Sequence, residues 1–133
     1  MTIPEDLIEH AKAAQSRAYA PYSQFAVGCC IRTAKGNVYS GCNIENASYS
    51  LTCCAEATAI AAMVSAGEHD IAEVVVIGTG ELPCWPCGAC RQRIREFANS
   101  ETLIHMHTHS GSSATKTLDE LLPVSFGPEN LEN

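Results

Sequence analysis

Ile71-Ala72-Glu73-Val74-Val75-Val76-Ile77-Gly78 is the stretch on which the fold turns. Val74 to Ile77 is apolar at every position. A strand with one wet face alternates polar and apolar side chains, whereas a continuous β-branched run suits a central strand covered on both faces. Segments able to cover it lie on either side in sequence. Upstream, Cys54 to Ala66 is rich in alanine and is followed by Gly67, which predicts a helix with a glycine stop. Downstream, Gly88 to Asn99 predicts a second helix and Thr102 to Thr108 another strand. Further out, Leu7, Ile8, Ala11, Ala14 and Ala18 recur at helical spacing behind Thr2-Ile3-Pro4-Glu5, which has the form of a capping box with proline in the first turn. Pro21 ends that helix. Phe25 to Thr33 predicts a buried strand, Lys35-Gly36-Asn37 a hairpin turn, and Asn37 to Cys42 the returning strand. Residues 43–52 are polar and irregular, His109-Ser110-Gly111-Ser112 predicts a turn, and Leu118 to Pro123 a short helix closed by proline. Helices alternating with strands predict an α/β fold, a three-layer α/β/α sandwich with a mixed sheet of about five strands.

The chain has 133 residues, a length that suits a single domain spanning 1–133. It is 46% hydrophobic and 17% charged, as a soluble globular protein is. Its formal net charge is −7, and no basic stripe offsets it. Such a surface repels phosphate backbones, so a nucleic acid polymer is not the expected partner; a small neutral molecule is. No apolar run is long enough to span a bilayer, and Met1-Thr2-Ile3-Pro4-Glu5-Asp6 lacks the basic and apolar regions of a secretion signal. The expected location is the cytoplasm, with no membrane partner.

Eight cysteines in such a chain point to metal or buried thiols rather than to disulfides. Cys29, Cys30 and Cys42 stand among strand-like residues and are expected to be small buried hydrophobes. Cys54-Ala55-Glu56 and Pro86-Cys87-Gly88-Ala89-Cys90 carry the chemistry. Three thiolates can hold zinc and leave its fourth position open to water, and a carboxylate beside that position can move the water's proton. Cys54 opens one predicted helix; Cys87 and Cys90 open the other, one turn apart. Helix N-termini carry partial positive charge and are expected to lower the pKa of all three thiols. A closed structural site is the other arrangement these residues permit, since Cys84-Trp85-Pro86-Cys87 would let Cys84 join Cys54, Cys87 and Cys90. Cys53 and Cys84 are expected to be buried or idle thiols, with a redox pair as the alternative. His105, His107 and His109 alternate, so a strand places them on one face; a partly exposed, solvated face is expected there rather than a second metal site.

Taken together these segments resemble the cytidine deaminases, in particular their small, zinc-binding, tetramer-forming branch. The resemblance runs from about Ala18 to Leu131. Its supports are Tyr19-Ala20-Pro21-Tyr22-Ser23-Gln24-Phe25-Ala26-Val27-Gly28, Gly41-Cys42-Asn43-Ile44-Glu45-Asn46-Ala47-Ser48-Tyr49, the two cysteine motifs, and Leu121-Leu122-Pro123 followed by Phe126-Gly127-Pro128. Zinc deaminases share the cysteine pattern, with three-cysteine ligation as one variant. The resemblance implies that Cys54, Cys87 and Cys90 bind Zn2+ and that Glu56 is the proton shuttle. It implies that Asn43 and Glu45 hold the ribose 3′-hydroxyl, that Phe25 packs on the nucleoside, and that the Ala55 backbone meets the pyrimidine edge. Tyr49 and Phe126 would reach a neighbouring subunit's site in a homotetramer.

The implied reaction is hydrolytic deamination of cytidine and 2′-deoxycytidine in pyrimidine salvage. Zinc-bound hydroxide attacks C4, Glu56 carries protons to N3 and then to the amine, and ammonia leaves. A modified or antibiotic cytosine nucleoside is the alternative substrate, and a non-enzymatic protein with a structural four-cysteine zinc site the alternative class. Two positions depart from the pattern. Ala57 stands where many relatives place an arginine that offsets thiolate charge, and Arg91 is the expected substitute. Trp85 stands where a small residue is usual and is expected to reshape the pocket or pack away from it.

Overall fold

A computed structural model describes residues 2–132; the reading of the N-terminus at Met1 lies outside them. The chain runs α1 (Glu5–Gln15), β1 (Val27–Thr33), β2 (Val38–Cys42), a 3-10 turn (Tyr49–Leu51), α2 (Ala55–Ser65), β3 (Ile71–Gly78), α3 (Gly88–Phe97), β4 (Leu103–His107), β5 (Ser113–Thr117), α4 (Leu118–Leu121) and a last 3-10 turn (Pro128–Leu131). The strands form one sheet in the order β2-β1-β3-β4-β5. β1 is antiparallel to both β2 and β3, β3 is parallel to β4, and β4 is antiparallel to β5. The sheet is therefore mixed and five-stranded, as expected.

β3 sits at the centre of the sheet, and its apolar run feeds both faces. Val74 and Val76 join Cys29, Ile31, Ala59, Met63 and Ile94 in one core, on the side of α2 and α3. Val75 and Ile77 join Leu7, Ile8, Ala11 and Cys30 in the other, on the side of α1. The alternation of side chains along a strand separates the two cores, and it sends the adjacent Cys29 and Cys30 to opposite faces. Both thiols are fully buried, as expected, and burial raises their pKa. Cys42 is half-buried.

Several local expectations are corrected. α1 has no capping box: its cap is Pro4, which makes no side-chain hydrogen bond. Proline's fixed φ suits a helix start without a polar side chain. The helix ends at Gln15, so Ala18 lies beyond it. Ser113–Thr117 pairs with the edge of β4 as a strand beyond those the sequence predicts; it carries little apolar signal because it is a partly exposed edge. Conversely, Gly67 stops α2 as read, with φ +91° just past the cap residue Ala66.

The histidine row is the largest correction. His105 is only 1% exposed. Its Nδ1 lies 2.9 Å from Thr115 Oγ1 on β5, and its Nε2 3.0 Å from Glu73 Oε2 on β3. His109 Nε2 is 2.6 Å from Gln15 Oε1 at the end of α1. His107 is half-buried, and burial lowers its pKa. His105 and His109 are thus tied to different elements, His107 Nδ1 is buried without a hydrogen-bond partner among the described residues, and only His109 is exposed. Among the described residues no helix is long and apolar enough to cross a membrane.

Candidate metal centre and active site

Cysteines occupy the cap positions of two helices. Cys54 precedes α2 with extended backbone (φ −74°, ψ 155°), and Cys87 precedes α3 likewise (φ −66°, ψ 167°). Neither makes a side-chain cap hydrogen bond, which leaves both thiols free of the role that serine or aspartate takes at a cap. α2 is set by a close approach to β2. A Cβ on Gly41 would lie 2.2 Å from Thr58 Oγ1 and 2.4 Å from Ala59 N, so only glycine fits there. Thr58 Oγ1 donates to Cys42 O at 2.8 Å, tying the end of β2 to the first turns of α2. α3 leaves the loop after β3, so both helix N-termini meet beyond the ends of the strands that precede them, where α/β sheets place their sites.

The sulfurs of Cys54, Cys87 and Cys90 all lie within 4.8 Å of one another. Cys54 Sγ and Cys87 Sγ are 3.9 Å apart, far beyond a disulfide and close to the ~3.8 Å edge of a tetrahedron with zinc–sulfur bonds of ~2.3 Å. The donor set therefore fits zinc. Among the described residues no other histidine, cysteine or carboxylate completes this cluster. Cys84 stands apart from it against Gly78 and Phe25, so the closed four-cysteine arrangement is not formed.

The thiols are not uniformly acidified, contrary to expectation. Burial raises the pKa of Cys54, opposed by a hydrogen bond with Cys90. Burial also raises Cys90, helped by the charge of Glu56. For Cys87 burial works in the same direction, but hydrogen bonds from the Cys90 backbone and from the other two thiols outweigh it and lower the pKa. Only Cys87 is shifted toward the thiolate; Cys54 and Cys90 are shifted toward the thiol. A cation held by Cys54, Cys87 and Cys90 would favour their thiolate forms.

Glu56, in the first turn of α2, is 5% exposed. Burial raises its pKa, partly offset by a backbone hydrogen bond and by the charge of Arg93. A carboxyl held above its ordinary range exchanges protons more readily near neutral pH. Glu56 borders a cavity of about 170 Å³ together with Val27, Asn43, Ala55, Trp85 and the thiols of Cys54 and Cys87. Thr52, Cys53 and Cys84 also border it. Trp85 is 45% exposed and borders the cavity. Cys53 is exposed, not buried.

Asn43 is 9% exposed and its amide is committed to backbone. Oδ1 accepts from Val27 N at 2.9 Å and Nδ2 donates to Phe25 O at 2.9 Å. It thus fixes the segment entering β1 on the cavity's edge. Glu45 lies in the adjoining hollow with Tyr22, Ser23, Tyr49 and Thr52. Its Oε1 accepts from Tyr22 N at 2.9 Å and Ser23 N at 3.2 Å, and Oε2 accepts from the Ser23 hydroxyl. These bonds, the hydroxyl's first, lower its pKa. Phe25 packs over Gly78, where a Cβ would come within 2.9 Å of its ring. Tyr49 is 74% exposed and edges onto Tyr22, and Phe126 is 59% exposed; neither borders the metal-side cavity.

Arg91 is not the expected charge partner. Its Nε donates to Pro86 O at 2.8 Å and its Nη1 to Leu121 O at 2.9 Å, so it braces the loop before α3 against α4. The guanidinium beside the thiols is that of Arg93, with Nη1 3.7 Å from Cys90 Sγ. Sequence reasoning missed Arg93, although its spacing of one helical turn from Cys90 was a usable signal.

A family model described as the cytidine and deoxycytidylate deaminase zinc-binding region matches residues 1–106. The chain is 42% identical over 127 residues to a cytidine deaminase of Sporosarcina psychrophila, covering 96% of this chain and 93% of that protein. It is 40% identical over 127 residues to a cytidine deaminase of Halalkalibacterium halodurans, with 96% of each covered. The crystal structure of cytidine deaminase from Burkholderia pseudomallei superposes with a TM-score of 0.89 at 41% identity, covering 94% of this chain and 100% of that one.

Proposed function

The chain belongs to the cytidine deaminase family, and from that membership we propose that it hydrolyses cytidine and 2′-deoxycytidine to uridine and 2′-deoxyuridine, releasing ammonia. One observation carries the reading: three thiols from two helix ends converge on one point, with a buried carboxyl beside them in the same cavity. Cys54, Cys87 and Cys90 hold the zinc. When bound, the ion acidifies a water to near neutrality and so supplies a nucleophile.

The chain's own groups do the rest. Glu56 takes a proton from the water that adds to C4 and delivers it to N3 of the base. It then takes the remaining hydroxyl proton and gives it to the amine, so that ammonia departs and the carboxyl ends unchanged. The buried backbone at Ala55 meets the pyrimidine edge. Asn43, already rigid on the cavity's edge, and Glu45, ionised in the adjoining hollow, present acceptors to the sugar 3′-hydroxyl. Phe25 supplies an apolar surface. Nothing placed here reads the sugar 2′-position, which supports both ribose and deoxyribose substrates.

We read residues 1–133 as one domain and the working form as a homotetramer with shared sites. The wet aromatic rings of Tyr49 and Phe126 favour that assembly, since each could complete a neighbouring subunit's cavity. The role is pyrimidine salvage in the cytoplasm.

The test is ammonia release from cytidine by the zinc-loaded protein. Glu56→Gln is expected to keep its zinc and to lose turnover by about 10³-fold, because an amide cannot cycle the proton. No release by the zinc-loaded parent, or near-normal release by the variant, would reject the assignment.

A further inference from the structure

Three thiolates on a divalent ion leave a net negative charge. The electron density they donate also weakens the ion's pull on its fourth ligand, unless hydrogen bonds to sulfur draw part of it away. The residue after Glu56, where α2 could have supplied a cation, is Ala57. α3 carries three arginines, and two are committed elsewhere. Arg91 is spent on the carbonyls of Pro86 and Leu121. Arg95 donates to Ser125 Oγ at 3.0 Å and pairs with Glu129 at 2.7 Å. Arg93 remains. Its Nη1 lies 3.7 Å from the sulfur of the fully buried Cys90. It takes part in none of the carboxylate ion pairs found among the described residues.

We propose that Arg93 balances the thiolate charge from α3, donating N–H···S to Cys90 and so preserving the metal's pull on its fourth ligand. The inference rests on the reading of Cys54, Cys87 and Cys90 as metal ligands. Arg93 acts through Cys90 and is a positioning residue, not one that touches substrate.

Cobalt(II) in place of zinc makes the claim visible, because thiolate-to-cobalt charge transfer reports directly on the sulfur. Loading the full-length wild type with cobalt should give a tetrahedral spectrum with three thiolates. In Arg93→Met the charge-transfer band should move to lower energy, because a sulfur lone pair without its hydrogen bond is easier to ionise. Competition against a zinc chelator should show retention weakened by about tenfold. Arg93→Lys, which keeps a charge and a donor, should recover part of both changes. Arg95→Met, on the same helix but paired with Glu129, should change neither. An Arg93→Met protein with the wild-type band and wild-type zinc retention would overturn the inference while leaving the ligand reading intact. Equal shifts in Arg93→Met and Arg95→Met would overturn it too, since they would report a general loosening of α3. A wild type that lacks the three-thiolate band would overturn the ligand reading and the inference together.

Discussion

Glu56 and Glu68 bracket α2, one in its first turn and one just past its end, and they are almost equally buried at 5% and 8% exposure. Their pKa values nevertheless move in opposite directions. Burial raises that of Glu56 and outweighs a backbone hydrogen bond, the charge of Arg93 and a hydrogen bond with Cys90. That of Glu68 is lowered by hydrogen bonds from Tyr39, Thr33 and Asn37, in that order. The Tyr39 hydroxyl donates to Oε2 at 2.6 Å and Asn37 Nδ2 to the same oxygen at 2.8 Å. Burial dominates at Glu56, whereas at Glu68 three hydrogen-bond donors come first and burial weighs less. Glu68 ties the turn between β1 and β2 to the end of α2. Glu56 is left with its charged form disfavoured beside the thiols, where such a carboxyl has chemical use and a stability cost.

The largest effect should follow from breaking the asymmetry at the thiol end. Glu56→Gln removes a buried group whose charged form is disfavoured, so beside its loss of turnover of about 10³-fold it should unfold at the same temperature as the parent or a higher one. A lowered melting temperature would mean that Glu56 holds the fold and would blur the distinction. The reverse holds at the other end. Glu68→Gln should keep its turnover and melt at a lower temperature. The pH dependence of that loss has a definite sign. Because the folded pKa of Glu68 lies below the ordinary 4.5, its stabilisation is present in full above that value and fades as pH falls through the folded pKa. Melting curves of parent and variant should therefore converge in acid. A difference that grew as pH fell would contradict the depressed pKa.

The two ends of α2 also differ in how far the sequence announced them. Cys54-Ala55-Glu56 could be read because ligand spacing is local and because helix starts carry their own signals. The apolar run of β3 could be read because burial on both faces leaves a strong trace in composition. Glu68 could not be read. Its partners lie about thirty residues away on β2 and the preceding turn, and only the packing of α2 against β2 brings them near. The same holds for His105, which alternation places on a strand face but which Glu73 and Thr115, from the strands on either side, bury. β5 escaped notice for the opposite reason, since a polar edge strand buries too little to show in hydropathy. Arg91 and Arg93 illustrate the finer limit. Both follow Cys90 closely, but helical phase directs one to the carbonyls of Pro86 and Leu121 and the other to sulfur. Adjacency in sequence favoured the wrong one.

The smallest expected effect tests whether Glu68 works through its donors or simply through its position. Tyr39→Phe removes the shortest of its hydrogen bonds and leaves the ring packed against the core on the α2 side. Alone it should lower the melting temperature less than Glu68→Gln does, because Asn37 still donates to the same oxygen. The informative protein is the double variant. If the carboxylate and the phenol stabilise the fold through each other, the two losses will not add, and Tyr39→Phe will cost less in the Glu68→Gln background than in the parent. The comparison belongs near neutral pH, where Glu68 is ionised; in acid the coupling should shrink along with the charge. Strict additivity at neutral pH would show that Tyr39 and Glu68 act independently. The low pKa of Glu68 would then need another cause, and the contrast between the two ends of α2 would rest on Asn37 and Thr33 alone.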